Sequence, residues 1–143
     1  MRRLLALVVV GLLVSSCGTQ SSATAVRSWL QTSNFTTNAE QLRRDAHQAA
    51  LALRNSATSA KDLHTVCAVL SVDTLAANAA LPTPDAQLST DLAAAYNALG
   101  GAANVCYQAG ASTTQRTRAL DLLVTGVGGL AASGLRASVV AKG

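Results

Sequence analysis

The chain has 143 residues, the length of one domain, and a chain of this size can bury a hydrophobic core of its own. It carries 11 basic and 7 acidic residues, for a net charge of +4, and only 3% of its residues are aromatic. Because no basic patch is interleaved with aromatic side chains, we expect no nucleic-acid partner.

The N-terminal segment has the features of a secretory signal peptide. Arg2 and Arg3 are followed by an apolar run at residues 4–14 and then by two serines. A positive start, a short apolar stretch and small residues before a cleavage site are typical of such peptides. The run is shorter than the roughly 20 residues that a permanent membrane-spanning helix needs. We therefore expect residues 1–16 to be removed during export, which leaves 127 residues and lowers the net charge to +2.

The residues Val14-Ser15-Ser16-Cys17 resemble the lipobox of bacterial lipoproteins. A lipobox has an aliphatic residue, two small residues and then a cysteine whose thiol carries a diacylglyceryl group. The resemblance implies that Cys17 is the lipidated N-terminus and that its acyl chains anchor the protein on the extracytoplasmic side of the cell membrane. One alternative is an ordinary secretory signal that is cut nearby, with Cys17 incidental. Another is a buried helix in a cytoplasmic protein, which does not explain the arginine pair, the apolar run and the cysteine together.

The rest of the chain divides into a tether and a helical domain. Residues 17–25 are rich in Gly, Ser, Thr and Gln, which is typical of a flexible linker. From residue 26 to residue 143, alanine and leucine dominate and only two prolines occur, so the composition favours helices. A short segment with Trp29 and Leu30 precedes a loop at residues 32–37.

Apolar residues at three- and four-residue spacing then predict four amphipathic helices, at about 38–54, 60–80, 84–109 and 113–139. Asn38, Ser59 and Thr83 are the expected N-caps of the first three, and a turn at residues 110–112 ends the third. Helices joined by short connections predict an all-α fold, an antiparallel four-helix up-down bundle. The expected core positions are Leu42, Ala46, Ala49, Ala50 and Leu53; then Leu63, Val66, Cys67, Leu70, Thr74, Ala77 and Leu81; then Leu88, Leu92, Ala95, Leu99, Ala102, Ala103 and Cys106; and finally Leu120, Leu123, Val127, Leu130, Ala131 and Leu135.

Helix geometry allows the two remaining cysteines to pair. Cys67 lies about 20 Å before the end of its predicted helix, and Cys106 lies about 33 Å after the start of the next. An extended connection of about 10 Å accounts for most of the difference. A disulfide between Cys67 and Cys106 is therefore feasible, and closing a loop of about 40 residues contributes nearly 4 kcal/mol in the chain-entropy model. The alternative is two buried free thiols that pack as small apolar groups.

No residue pattern indicates catalysis, a metal or a cofactor. His47 and His64 lie on different predicted helices and lack a cluster of further ligands, so we expect no metal site. Six aspartates are scattered along the chain, and the sequence selects no pair among them; they are Asp45, Asp62, Asp73, Asp85, Asp91 and Asp121. The sequence therefore predicts a protein that is not an enzyme.

Four glycines interrupt the last predicted helix, namely Gly126, Gly128, Gly129 and Gly134. Each costs about 1 kcal/mol against alanine inside a helix. They allow either close packing on a neighbouring helix or room for an apolar ligand, and a loosely held helix is a further interpretation. Asp121 interrupts the apolar run, so we do not expect this helix to span a membrane.

Residues 29–130 resemble small actinobacterial envelope proteins. The resemblance lies in Trp29, in the spacing of Cys67, Leu70 and Asp73, in the turn Leu81-Pro82-Thr83-Pro84-Asp85 and in the later Leu99, Ala103 and Cys106. With the lipobox, this resemblance implies a mycobacterial-type lipoprotein with a helical bundle outside the cytoplasmic membrane. It supplies no active residues. The predicted function is a non-enzymatic, lipid-anchored interaction or accessory module with an envelope protein as partner. The alternative is a binding lipoprotein that holds a small apolar ligand or lipid between its helices.

Overall fold

The computed structural model describes residues 21–143, and the predicted signal peptide and Cys17 lie outside this part of the chain. Residues 21–143 form helices and no strand, which confirms the all-α prediction. This part of the chain forms five helices rather than the four predicted, because the segment around Trp29 is itself helical. The helices are α1 (Ser22–Thr32), α2 (Phe35–Arg54), α3 (Ala60–Asn78), α4 (Ala86–Ala109) and α5 (Thr113–Lys142).

Side-chain caps define the starts of four helices, α1, α3, α4 and α5. As predicted, the Ser59 hydroxyl accepts a hydrogen bond from the Asp62 amide at the start of α3. The predicted cap of α4 is wrong: Asp85, not Thr83, accepts from the Leu88 amide at 2.7 Å. Thr83 instead donates its hydroxyl hydrogen to the Asp85 carbonyl and holds the preceding turn.

The predicted start of α2 at Asn38 is also wrong, since the helix begins at Phe35. Phe35 is buried and its ring lies 5.4 Å from the Trp29 ring, so packing against α1 fixes the first turn. Asn34 precedes it with a left-handed backbone, at φ +50°. The Asn38 side chain reaches back and donates to the Ser33 carbonyl.

The helix α1 is docked on the rest of the domain. It begins at Ser22, inside the segment predicted as a tether. Val26 is fully buried, and the Trp29 indole donates to the Ala80 carbonyl just beyond α3, at 3.0 Å. The folded domain therefore starts earlier along the chain than residue 26.

The helices α2 to α5 are packed in a closed series: α2 on α3, α3 on α4, α4 on α5, and α5 back on α2. The helix α4 is the most buried, because it packs between α3 and α5 along most of its length. All seven core positions predicted for it are buried. Fully buried leucines make up much of the core; they are Leu42, Leu63, Leu70, Leu88, Leu92, Leu99 and Leu130.

The predicted inner face of α5 is largely wrong. Leu123 and Leu130 are buried, but Leu120 and Val127 are only partly buried, and Ala131 and Leu135 are exposed. The buried series recurs at three- and four-residue spacing and includes small and polar residues; it is Arg116, Ala119, Leu123, Gly126, Leu130, Ser133 and Ala137. The reason is the close approach of α4, since a Cβ at Gly126 would lie 2.6 Å from Leu99 Cγ. Only small side chains fit this contact, and larger apolar residues lie to its sides.

Candidate functional site

Cys67 and Cys106 lie together between α3 and α4, as helix geometry allowed. Their Cα atoms are 5.9 Å apart, and the structure brings the sulfurs to disulfide-bonding distance. Both side chains are fully buried in the core. The bond would close the turn between α3 and α4 and constrain the unfolded chain.

An apolar surface lies next to this cysteine pair. We call it the outer face of α3; it consists of Val69, Val72 and Leu75 with Tyr107 from α4. Val72 is 63% exposed and Leu75 is 69% exposed. Val72 and Tyr107 border one shallow depression, and Leu75 borders the next along the same pair of helices. Exposed apolar patches of this kind are typical of interaction surfaces.

The two histidines are separate and exposed. His64 stacks on Tyr107 with ring centroids 4.1 Å apart, beside the outer face of α3. His47 lies on the outer side of α2. Within residues 21–143, no three or more His, Cys, Asp or Glu side chains are grouped closely enough to hold a metal ion.

The structure selects one pair from the six aspartates, Asp45 of α2 and Asp73 of α3. Asp45 is only 8% exposed; its Oδ1 accepts from Gln41, and its buried Oδ2 has no hydrogen-bond partner among the described residues. Burial raises the pKa of Asp45, and the nearby carboxyl of Asp73 raises it further. The adjoining depression has a volume of only about 100 Å³. Binding sites for small molecules are typically about 300–1,000 Å³, so this pair has no room for a substrate beside it.

A larger groove runs between α2 and α5. It has a volume of about 470 Å³, within the range of ligand sites. Leu30 and Phe35 form one side, and Leu130 and Leu135 form the other. Leu135 is 71% exposed although it faces this groove, so the floor is apolar and open to solvent.

The chemical character of the groove changes along α2. Glu40 and Arg43 line its end, and both also border a second depression of about 320 Å³. Arg44, His47 and Gln48 also line that second depression. An apolar channel therefore continues into a polar site with three basic side chains and one carboxylate.

The glycines of α5 divide into two groups. A Cβ on Gly126 would meet Leu99 at 2.6 Å, and one on Gly129 would meet Ala95 at 3.1 Å, so these two allow close packing on α4. A Cβ on Gly128 or Gly134 would meet nothing within 4 Å. Gly134 lines the groove between α2 and α5. Both of the sequence-based interpretations, close packing and room for a ligand, therefore apply, but to different glycines.

By length and composition, α5 could cross a membrane. A core helix of a globular domain meets the same criterion, and α5 packs against α1, α2 and α4 through a regular buried series.

Comparison with known proteins adds no relative to this picture: no family model, curated protein or solved structure matches the chain. The candidate surfaces therefore rest on the geometry alone.

Sequence analysis placed Phe35 in a loop and did not single out Arg43 or Tyr107. The one available signal was in α3, where Val69 and Val72 lie off the predicted core face.

Proposed function

We propose that this chain is a non-enzymatic interaction module of the bacterial envelope, anchored by acyl chains on Cys17 on the extracytoplasmic side of the membrane. The lipobox resemblance supports the anchor. The few residues between Cys17 and α1 set the distance between the folded domain and the lipid surface. The helices α2 to α5 form an antiparallel up-down bundle that carries α1 on its side.

The bundle arrangement has support from contacts near the helix ends. Asp85 at the start of α4 accepts from Arg136 near the end of α5, with Nε and Oδ1 3.0 Å apart. Cys67 in the first half of α3 meets Cys106 in the last turn of α4. Each contact joins an early position in one helix to a late position in the next, as antiparallel neighbours require.

The outer face of α3 is the observation that carries the proposal. Its side chains are large, apolar and exposed, and they stand on a helix held rigidly by the core and the cysteine pair. An exposed apolar patch of this kind marks a protein interface more often than it marks catalysis. We therefore assign the partner contact to Val69, Val72, Leu75 and Tyr107.

Site-specific photo-crosslinking in the native membrane tests this assignment. A crosslinking residue at position 72 of the full-length protein should yield an adduct with one defined envelope protein. The same residue at the exposed, polar position Thr117 of α5 is the matched control and should not. Cys17→Ser should release the protein from the membrane fraction and abolish the adduct. Adducts with lipid alone, or equal adducts from both positions, would contradict the proposal.

The groove between α2 and α5 favours a second candidate function, the binding of an apolar ligand between helices. Its volume suits a small ligand, and Gly134 leaves its wall open. This function does not exclude the first, because the groove and the outer face of α3 are formed by different residues.

A further inference from the structure

We propose that the groove between α2 and α5 binds a free long-chain fatty acid, with the acyl chain between the two helices and the carboxylate beside Arg43. This inference rests on the second proposed function and names its ligand class. It combines the apolar floor, the direction in which polarity changes along α2, and the uncompensated charge at one end.

The apolar end of the groove can receive a hydrocarbon chain. Leu30, Phe35 and Ala39 face Leu130 and Leu135 across it. Leu135 is 71% exposed, and covering it with a hydrocarbon chain removes apolar surface from water, which favours binding. Because Gly134 has no side chain, the middle of the α5 wall stays open.

The charged side chains of the groove lie at one end, while Thr36 and Ser138 add uncharged polar groups to its lining. Phe35 lies at the apolar end and Arg43 at the polar end, about 12 Å apart along α2 at 1.5 Å per residue. His47 lies one further turn along, in the adjoining depression. This elongated shape, apolar at one end and basic at the other, fits a single-chain amphiphile better than a compact apolar molecule.

The charge at the polar end favours an anion. In the described part of the chain, the one ion pair at salt-bridge distance joins Arg136 to Asp85. Arg43 therefore forms no salt bridge with the residues described. Arg44 donates to Gln41 nearby and adds a second positive charge. Glu40 is the one carboxylate on the rim, so basic groups outnumber it. A carboxylate gains from this field, whereas a cationic head group is repelled by it.

Titration of the mature chain, residues 17–143, with palmitate tests the inference. Cys17→Ser removes the attached acyl chains, and all five helices lie within residues 21–143. Hexadecyltrimethylammonium, with the same chain length and the opposite charge, is the comparison ligand. Both ligands are kept below their micelle concentrations. Palmitate should then change the amide chemical shifts of both walls of the groove, and calorimetry should show that it binds more tightly than hexadecyltrimethylammonium.

Two glycine variants locate the binding site. Gly134→Leu fills the groove and should weaken palmitate binding about tenfold or more, the effect of losing about 1.4 kcal/mol. Gly128→Leu puts the same side chain on an exposed position of the same helix outside the groove, so it should leave affinity unchanged. Arg43→Gln should weaken palmitate about threefold, as for an exposed charge pair, and should not weaken the cation.

Equal affinity for the two ligands, with no effect of Arg43→Gln, would overturn the fatty-acid assignment and leave apolar binding in the groove standing. Absence of binding by either ligand would overturn both the ligand class and the second proposed function. Equal losses in Gly128→Leu and Gly134→Leu would place binding outside the groove and contradict the inference.

Discussion

Arg116 is a buried cation that joins two connecting parts of the chain, the one between α2 and α3 and the one between α4 and α5. Its side chain is only 8% exposed and lies in the first turn of α5. The guanidinium donates to the Gly110 carbonyl before α5, to the Leu53 and Asn55 carbonyls at the end of α2, and to the Thr58 carbonyl before α3. The C-terminal carbonyls of α2 carry the negative end of its dipole, so they stabilise the charge without a carboxylate.

Replacing this side chain should therefore destabilise the fold. We expect Arg116→Met to lower the free energy of unfolding by about 3 kcal/mol, because it leaves several carbonyls without their donors. Arg118→Met changes an exposed arginine of the same helix and should stay within about 0.5 kcal/mol of the parent. Urea unfolding followed by circular dichroism measures both. If the two variants lost equal stability, the hydrogen bonds of Arg116 to the two connecting segments would not stabilise the fold.

The sequence could not distinguish these two arginines. Both lie in the first turns of a predicted amphipathic helix, where a basic residue is ordinarily solvated. Arg116 is buried where the α2–α3 connection meets the α4–α5 turn, and this arrangement appears only when the helices are assembled. Asp45 is a similar case, since only packing brings Asp73 beside it.

At the scale of the helix, the contact between α4 and α5 depends on the lack of a side chain at Gly126. The approach is so close that a Cβ at Gly126 would lie 2.6 Å from Leu99 Cγ and 3.0 Å from the Leu99 backbone nitrogen. A side-chain atom can shift, but the backbone of α4 cannot move without disturbing the core around it. Gly128 is two residues along and faces open space.

Alanine substitutions at these two glycines should have opposite effects. Gly126→Ala should lower the free energy of unfolding by about 1–3 kcal/mol, because overpacking outweighs the gain in helix propensity. Gly128→Ala should raise it by about 0.5–1 kcal/mol, because the helix gains propensity with no steric cost. Thermal and urea unfolding of the two variants measure the contrast. Stabilisation by Gly126→Ala would show that the helices can separate at little cost.

The same contact explains where periodicity predicted helix faces correctly and where it did not. In α4, large apolar residues mark the buried face, so Leu88, Leu92 and Leu99 were identified correctly. In α5, the buried face includes Gly126 and Ser133, and a search for large apolar residues selects Leu135 instead, which is exposed. The cysteine pair was predictable because helix rise alone relates Cys67 to Cys106. The groove was not, because it lies between helices whose relative rotation the sequence did not provide.

For the molecule as a whole, two carboxyl groups make stability depend on pH in opposite directions. The hydrogen bond from Arg136 lowers the pKa of Asp85, and the Leu88 amide lowers it further. Burial and the neighbouring Asp73 raise the pKa of Asp45. Asp85 thus stabilises the fold above its ordinary pKa of 3.8, and this contribution is lost as the pH falls through the lowered folded-state value. The contribution of Asp45 has the opposite sign: the fold loses stability as the pH rises from 3.8 through the raised folded-state pKa of Asp45.

Amide substitutions should separate the two contributions, since asparagine keeps the shape and removes the charge. At pH 7, Asp45→Asn should raise the free energy of unfolding by about 1 kcal/mol, because it removes a buried, incompletely paired carboxylate. Asp85→Asn should lower it by about 1 kcal/mol, because asparagine still caps α4 but loses the ion pair and the favourable interaction with the helix dipole. As the pH falls, the effect of Asp45→Asn should disappear between the raised folded-state pKa and 3.8, because the folded parent protein takes up the proton first. The effect of Asp85→Asn should disappear only below 3.8, as the pH approaches the lowered folded-state pKa, because the unfolded parent protein takes up the proton first. Urea unfolding at a series of pH values measures the two curves. If Asp45→Asn destabilised the domain at pH 7, the ionised carboxylate would have a partner that the structure does not contain in residues 21–143, and the pairing of Asp45 with Asp73 would be wrong.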